Sequence, residues 1–486
     1  SRRFKDLPES DSVLRIFFGD TSCHPEPFWL NIMPHNPRKT ALDVLNTLTG
    51  ANANKTLDSI LDDIPRHDRY LSRRDRALFT ALVFGVLRWR NRLDHIIHHF
   101  SNIPVQKIEP GVLNILRLGL FQIIYLDRIP ASAAVNTSVE MTKQIGAFRA
   151  AGFVNALLRK SAADYGGVCF PAFENDPIAF LSTDQSMPGW LAKRWLNRFD
   201  KESLMILCNT INSVPPITVR TNTLKTAREK LILSLENEVE RIEPATTAPD
   251  GIRLFNPKRS IFDLTAFNSG WFQVQDEAAQ LVSLLLNPQP GESVLDACAG
   301  LGGKTAHLAQ LMQNKGSLLA VDKDENRLRQ LDSEMQRLGV SIVRTACRDL
   351  NLSPGAKLQG DFDRVLLDAP CSGLGVMRRN PDIKWNSSEA DLKRHARVQK
   401  RFLENLARRV KLNGILVYAV CSIEPEENEA VIAAFLKKHA EFVIDKHPGR
   451  LPETLHSLVE PATGLKTLPL LNHMDGFYFV RLKRIK

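Results

Sequence analysis

The stretch Ser293-Val-Leu-Asp-Ala-Cys298-Ala-Gly-Leu-Gly-Gly-Lys-Thr305 decides how the chain is read. Its first five residues form a short, mostly apolar run with the character of a strand. The segment from Cys298 to Lys304 reads as a glycine-rich turn opening a helix over 305–313. Glycines there let the backbone approach a ligand closely, and the start of the helix offers unpaired N–H groups. Short apolar strands are also expected at 317–321, 364–367 and 415–420, separated by helical stretches such as 325–338. Such alternation predicts a doubly wound, Rossmann-like α/β domain over 270–486, with its ligand at the carboxyl ends of the strands.

Two nucleotide-binding readings fail on spacing. A Walker loop requires a glycine five residues before Gly303, where Cys298 stands. The dinucleotide fingerprint lacks its last glycine, because Gly300-Leu-Gly302-Gly303-Lys304 runs into Thr305. The glycine turn, Cys298, Ala299, Gly300, Leu301, Gly302, Gly303 and Lys304, supports a nucleoside-bearing ligand without choosing which. Asp322, at the end of the next strand, stands where a carboxylate accepts ribose hydroxyls. Asp349 follows the segment 342–346 and is expected at a base edge.

Upstream, helix signals at 191–209 and 226–236 and strand signals at 217–223 and 252–255 predict a small α/β subdomain over 191–269. Residues 163–190, rich in Gly, Pro, Asp and Ser, read as a linker. From 37 to 162 the apolar period is helical, as in Ala77, Leu78, Ala81 and Leu82 and in Val112, Ile115 and Leu116, with breaks at Pro65, Pro104, Pro110 and Pro130. Residues 1–36 show no amphipathic period and read as a poorly ordered N-terminal extension, with Met33 just before the organised sequence.

Over its 486 residues the chain carries 64 Lys and Arg against 54 Asp and Glu, a formal charge of +10. The excess is concentrated in 37–160, which holds eighteen basic and ten acidic residues, and a basic face is expected at Arg73, Arg74, Arg76, Arg88, Arg90 and Arg92. Such asymmetry is the footprint of nucleic-acid binding. A second basic run lies at 392–411. Hydrophobic residues at 43% and charged ones at 24% exclude wholesale disorder. The longest apolar run, 415–421, falls far short of the ~18 residues of a membrane span, and no secretory signal is read. Seven cysteines without a Cys-x-x-Cys pair argue against a disulfide framework, and no metal site is expected. These features predict a cytoplasmic monomer.

Two cysteines carry the chemistry. The strand at 364–367 leads into Asp368-Ala-Pro-Cys371-Ser-Gly, and the strand at 415–420 leads into Cys421-Ser-Ile-Glu-Pro-Glu-Glu-Asn-Glu429. A lone cysteine is commonly a small hydrophobe. Two of them, each ending a core strand on the ligand side, point instead to a thiolate that adds reversibly to an electron-poor ring carbon.

Together with 270–281 (Gly-Trp-Phe-Gln-Val-Gln-Asp-Glu-Ala-Ala-Gln-Leu), the segments 296–305, 368–373 and 421–429 resemble the RNA (cytosine-5) methyltransferases that use S-adenosylmethionine. The segments 73–90 and 129–135 resemble the NusB-like helical domain of the Sun/Fmu-type 16S ribosomal RNA methyltransferases. The resemblance spans roughly residues 38–486 and implies methylation at C5 of a cytosine in 16S ribosomal RNA. It implies that Cys421 adds to C6, that Cys371 assists release, and that Asp368 hydrogen-bonds the base beside the donor. Residues 298–304, Asp322, Asp349 and Asp368 are implied to hold S-adenosylmethionine. Arg73, Arg74, and Arg220 and Asn222 of Val-Arg-Thr-Asn-Thr-Leu-Lys are expected to meet RNA, and the small subdomain is expected to be RRM-like. The family loop usually reads Cys-Ala-Ala-Pro-Gly-Gly-Lys; here Gly300 and Leu301 depart from it. The same chemistry on tRNA is the alternative, against which the helical domain speaks. A non-catalytic RNA-binding factor is a second, against which the intact Asp368, Cys371 and Cys421 speak. Since residues 1–160 hold none of the site, their removal is expected to leave the cofactor site intact.

Overall fold

The structure is a computed structural model and describes residues 36–49, 56–62, 72–351, 361–460, 464–469 and 474–486. Of the expected extension over 1–36, residues 1–35 lie outside the described residues, as do Met33 and the break at Pro65. The chain forms two compact units, one running to Pro215 and including Met377–Asn386, the other comprising Pro216–Val376 and Ser387–Lys486.

The first unit is helical. Helices Pro37–Thr49, Arg73–Phe100, Pro110–Tyr125, Ala131–Gln144 and Ala151–Asp164 share a core that includes Leu42, Leu45, Leu82, Val83, Ile115, Leu116 and Leu158. Pro110 opens its helix from the first position and Pro130 caps the next, where a missing N–H costs nothing. Arg117 grips Asp94 with two hydrogen bonds of 2.7 Å each, a bidentate pair inside the bundle.

Helix Arg73–Phe100 bends at Trp89, whose φ of −108° and ψ of 17° leave the helical range. Carbonyls at the bend need other donors. Trp385 Nε1 donates to the Leu87 carbonyl at 2.6 Å. Lys384 Nζ donates to the carbonyls of Arg88 (3.1 Å) and Ser186 (3.4 Å) and to Asn212 Oδ1 (2.6 Å). Asp382 accepts the Leu57 N–H at 3.0 Å, and Arg88 donates to the Arg378 carbonyl at 2.8 Å. The ten residues that follow Val376 are therefore part of this helical unit, a feature the sequence does not announce.

The expected basic face across 73–92 is not what forms. Arg88 is buried, and Arg90 lies over the Trp385 ring at 5.1 Å, burial pushing its guanidinium down to about 10. Arg92 is paired with Asp184 and donates to its carbonyl at 3.0 Å. A helix running through the core for 28 residues turns these side chains towards interior acceptors. Arg74 is exposed; the Arg73 side chain lies outside the described residues.

Within 163–190 stands helix Pro177–Thr183, capped by Asp176, and Leu181 and Met187 are fully buried, so this stretch is packed structure. The helix read at 191–209 is two, Gly189–Leu196 and Lys201–Ile211, because Asp200 accepts the Ser203 N–H at 2.9 Å and starts a new one.

The second unit holds two sheets. Strands β1 (Ile217–Thr221), β2 (Val239–Pro244), β3 (Gly251–Pro257) and β4 (Phe272–Val274) form an antiparallel sheet in the order β2-β3-β1-β4. Helix Arg228–Leu235 lays Leu231 and Leu235 against Val219, Ile252 and Leu254. The larger sheet comprises β5 (Ser293–Asp296), β6 (Ser317–Asp322), β7 (Val343–Cys347), β8 (Phe362–Asp368), β9 (Val410–Val420), β10 (Phe442–Ile444), β11 (Val459–Glu460), β12 (Gly464–Thr467) and β13 (Phe477–Arg484). Its order is β11-β12-β13-β9-β8-β5-β6-β7, with β10 against β13. The strands β7, β6, β5, β8 and β9 are parallel, as the alternating pattern predicts, and β10 to β13 add an antiparallel edge.

Alternation along the parallel strands fills two cores. Val294, Leu366 and Val417 face helices Glu277–Leu286, Gly303–Leu311 and Glu325–Leu338. Leu295, Val365, Leu367 and Leu416 face helices Glu389–Ala407 and Glu429–Lys438. The order reverses at β5, with β6 on one side and β8 on the other, which opens a crevice beyond the carboxyl ends of β5 and β8.

Candidate active site

The glycine turn follows β5. Gly300 and Gly302 both have positive φ, +55° and +85°, and Gly302 caps helix Gly303–Leu311. At Gly302 a Cβ would stand 2.7 Å from Leu331 Cγ, so glycine is required for space as well as conformation. At Gly300 a Cβ would meet nothing within 4 Å, and Leu301 is 55% exposed. The departure from the usual loop therefore falls on its open side.

Asp322, at the end of β6, accepts the Gly300 N–H through Oδ2 at 2.9 Å and the Asp324 N–H through Oδ1 at 2.9 Å. Each oxygen keeps a lone pair for a ligand hydroxyl. Beneath the turn, Asp296 takes the Thr305 hydroxyl on Oδ2 at 2.7 Å, while its buried Oδ1 has no partner. Burial pushes this carboxyl up to about 7. An orphaned buried oxygen under a glycine turn, with a second carboxylate beside the turn, fits a ligand that brings hydrogen-bond donors, as a nucleoside with an amino-acid tail does. Asp349 lies beyond β7, exposed, its Oδ1 accepting from the N–H and the side-chain amide of Asn351 at 2.8 and 3.0 Å.

Lys304 does not stand alone in the turn. Its Nζ donates to Asp368 Oδ2 at 2.6 Å and lies 5.5 Å from the centre of the Phe477 ring. Burial works against its charge, yet Asp368 more than offsets that and raises its pKa, with Cys421 among the weaker contributors. The pair joins the first turn of helix Gly303–Leu311 to the end of β8.

The structure brings the two cysteines together. Cys371 Sγ and Cys421 Sγ are 3.2 Å apart, in loops that follow β8 and β9. The hydrogen bond to Cys421, with burial second, holds the Cys371 thiol well above its ordinary range, and either sulfur can be the donor in their contact. Adjacent backbone locks the loops: Ala369 N donates to the Ala419 carbonyl at 2.9 Å and Gly375 N to the Cys421 carbonyl at 3.0 Å. At Gly375 a Cβ would sit 1.9 Å from the Gly476 carbonyl oxygen, so only glycine closes this approach.

Arg220 and Asn222, expected to meet RNA, are interior. Arg220 is 1% exposed and donates to Gln273 Oε1 (2.9 Å), Gln310 Oε1 (3.3 Å), the Gly303 carbonyl (3.0 Å) and Gln275. Burial pushes its pKa down to about 9. Asn222 Nδ2 donates to the carbonyls of Gly270 and Leu338, each at 2.8 Å. Both tie the small sheet to the helices beside the glycine turn. A guanidinium buried this deeply is held by its acceptors and does not reach a phosphate. On helix Glu389–Ala407, Lys393, Arg394, Arg397 and Arg401 are exposed. Asp296 and Glu427 lie within the segments 296–305 and 421–429, but the sequence assigns neither a role; their buried contacts do.

Among the described residues no helix is long and apolar enough to cross a membrane, and no group of three or more His, Cys, Asp or Glu could hold a metal ion.

Residues 283–483 match the family described as 16S rRNA methyltransferase RsmB/F, 35–163 the NusB family, and 187–260 the ferredoxin-like domain of RsmF/B-like methyltransferases. The chain is 37% identical over 416 residues to a probable ribosomal RNA small subunit methyltransferase B of Bacillus subtilis, covering 85% of this chain and 92% of that one. It is 37% identical over 445 residues to its counterpart in Synechocystis, covering 87% and 98%. The crystal structure of PH0851 superposes with a TM-score of 0.75 at 25% identity, covering 93% of this chain and 99% of that one.

Proposed function

Because the chain belongs to the 16S rRNA methyltransferase RsmB/F family, we propose that it methylates C5 of a cytosine in 16S ribosomal RNA through a covalent bond between Cys421 and C6. S-adenosylmethionine, the cofactor of this family, supplies the methyl group as an electrophile. Asp322, Asp296 and the backbone from Cys298 to Gly303 are the groups that hold it, and Asp349 contributes from beyond β7.

Cytosine C5 does not react with an electrophile until a nucleophile adds at C6. Cys421 is that nucleophile. The 3.2 Å contact between the two sulfurs carries this reading, since it sets a second thiol directly beside the one that adds to the base. Addition at C6 makes C5 nucleophilic, and Asp368, fixed by Lys304, accepts a hydrogen bond from the exocyclic amino group of the base. Once Cys421 is bonded to carbon its hydrogen bond with Cys371 is lost, and with it the largest of the causes that raise that thiol's pKa, while burial and Glu427 still act on it. Cys371 then gives up its proton to solvent and takes the C5 proton, and the electrons of that C–H bond expel Cys421.

Positive side chains on helix Glu389–Ala407, together with Arg74 of the helical unit, contribute phosphate contacts, which position RNA without reading it. The base leaves its stack to reach Cys421, which favours a loop or frayed helix as the target. The chain acts in the cytoplasm, where ribosomal RNA is found. The test is an asymmetric pair of variants incubated with 16S RNA and S-adenosylmethionine. Cys421→Ala is expected to neither methylate nor capture RNA, whereas Cys371→Ala accumulates a protein–RNA adduct on denaturing gels. The reverse pattern exchanges the two roles.

A further inference from the structure

Behind the two cysteines lies a carboxylate to which the reaction gives no part. Glu427 is fully buried, at 0% exposure, in the same loop as Cys421, between Val420 and the helix that starts at Glu429. Its carboxylate is met by four neutral donors: Ser372 N (2.8 Å) and Gln399 Nε2 (3.1 Å) on Oε1, Ser372 Oγ (2.5 Å) and Ser422 Oγ (2.5 Å) on Oε2. Ser372 directly follows Cys371, and Ser422 directly follows Cys421. The two hydroxyls also approach each other at 3.2 Å. The backbone of Glu427 is fixed in turn, because Tyr418 donates its hydroxyl to the Glu427 carbonyl at 2.6 Å from within β9. Gln399 carries the same anchor to helix Glu389–Ala407 and also donates to the Pro370 carbonyl at 3.1 Å. The residue after each cysteine thus donates to one and the same side chain.

We propose that Glu427 is the positioning residue of the cysteine pair, a buried staple that holds the Cys371 and Cys421 loops at the spacing their proton sharing requires. The proposal rests on the reading in which both cysteines act on the base, but its geometry is measurable without RNA. Hydrogen bonds to an ionised carboxylate are stronger than those between neutral groups, which suits it to joining two loops from different strands. A buried charge is otherwise costly, and four converging donors, with the His395 ring within its electrostatic reach, make it tolerable here. Its negative charge also opposes loss of the proton from Cys371, as one of the weaker contributions to that thiol's raised pKa.

The experiment uses the full-length protein and diamide, an azo oxidant that takes two electrons and two protons from a thiol pair as the S–S bond forms. The rate of the Cys371–Cys421 disulfide, followed by peptide mapping, reports the approach of the two sulfurs. Glu427→Ala is expected to slow it about tenfold or more, because the loops lose their common acceptor. In methyl transfer the same variant is expected to lower kcat about 100-fold while KM for S-adenosylmethionine stays constant, since misplacing reacting groups by an ångström has that effect. Glu427→Gln is expected to restore both to within about threefold: its remaining oxygen serves the two N–H donors, and the serine hydroxyls turn to accept from the amide. If Glu427→Ala does not fold, Ser422→Ala carries the test, releasing only the Cys421 side and leaving Glu427 three donors. A wild-type disulfide rate in whichever of these two variants is read, or a KM for the donor that rises as kcat falls, overturns the proposal. Failure of the functional reading looks different: Cys421→Ala would still methylate cytosine, while the disulfide rates would still score the staple.

Discussion

Lys384 Nζ donates to the carbonyl of Arg88 at 3.1 Å, so a buried cation caps the bend in helix Arg73–Phe100 from a segment 296 residues further along the chain. Burial, and then the charge of Arg88, push Lys384 down to about 7 from an ordinary 10.5. In the folded protein the ammonium therefore loses its proton above about 7, whereas the unfolded chain keeps it to about 10.5. Between these values the unfolded state binds more protons, so stability rises with pH, and below about 7 the charged form weakens the fold. Relative to Lys384→Met, the wild type is expected to gain up to about 1.4 kcal/mol per pH unit across this window. Urea unfolding of both proteins at pH 7, 8 and 9 measures it, and parallel profiles would remove Lys384 as the cause.

Removing the helical unit should harm catalysis as well as RNA affinity. Asp382, Lys384 and Trp385 depend on Leu57, Arg88 and Leu87 for their hydrogen-bond partners, and they begin only six residues beyond Val376. Deleting residues 1–160 strands them, while the cofactor site, to which 1–160 contribute none of the expected residues, is still expected to stay intact. At saturating RNA the truncated enzyme is expected to show a reduced kcat, and a wild-type kcat would show that the segment 377–386 is dispensable.

Arg220→Ala should behave as a stability variant. Its loss leaves buried acceptors on Gln273, Gln310 and Gly303 without their donor, at about 1–3 kcal/mol for each such group. The slope of RNA affinity against salt is expected to be unchanged, because no phosphate contact disappears. A shallower slope would return Arg220 to the RNA surface.

Asp322→Ala removes an acceptor from the Gly300 and Asp324 N–H groups and from the ligand hydroxyls. Weakening of S-adenosylmethionine by about 1–3 kcal/mol is expected by calorimetry. Unchanged affinity would take Asp322 out of the donor site.

Gly375→Ala drives a methyl group into the Gly476 carbonyl and towards the Cys421 carbonyl, 1.9 and 3.0 Å from the new Cβ. Displacing the Cys421 loop is expected to lower kcat about 100-fold with donor binding intact. Equal loss of both would place the damage in the fold as a whole.

Where one physical signal dominated, the sequence could be read to the residue. The helix over 325–338 is bounded as its apolar period predicts, with Asp324 capping its start and Gly339 left-handed at its end. The strands leading to Asp296, Asp322, Asp368 and Cys421 were legible because buried parallel strands are short apolar runs. β2, with Glu240, Arg241 and Glu243 along it, and the three-residue β4 carry no such run. The arginines at 88, 90 and 92 read as a surface because charge alone does not reveal which acceptors the fold will bring to it. Glu427 sits among Glu424, Glu426 and Glu429 in one acidic stretch, and Glu424 is buried as fully; the donors Ser372, Ser422 and Gln399 mark Glu427, and the sequence does not show them.

The insertion of 377–386 into the helical unit has a consequence for biosynthesis. The first stretch of the helical unit ends at Pro215, but Asp382, Lys384 and Trp385, which satisfy Leu57, Arg88 and Leu87, are made 167 to 170 positions later. At ribosomal speeds of 5–20 residues per second, that is a wait of roughly 8–30 s. During it the bend at Trp89 must be hydrated or shielded by another molecule. The helical half completes its fold only after the Cys371 loop has been translated, so a prematurely terminated chain yields neither a catalyst nor a finished helical unit.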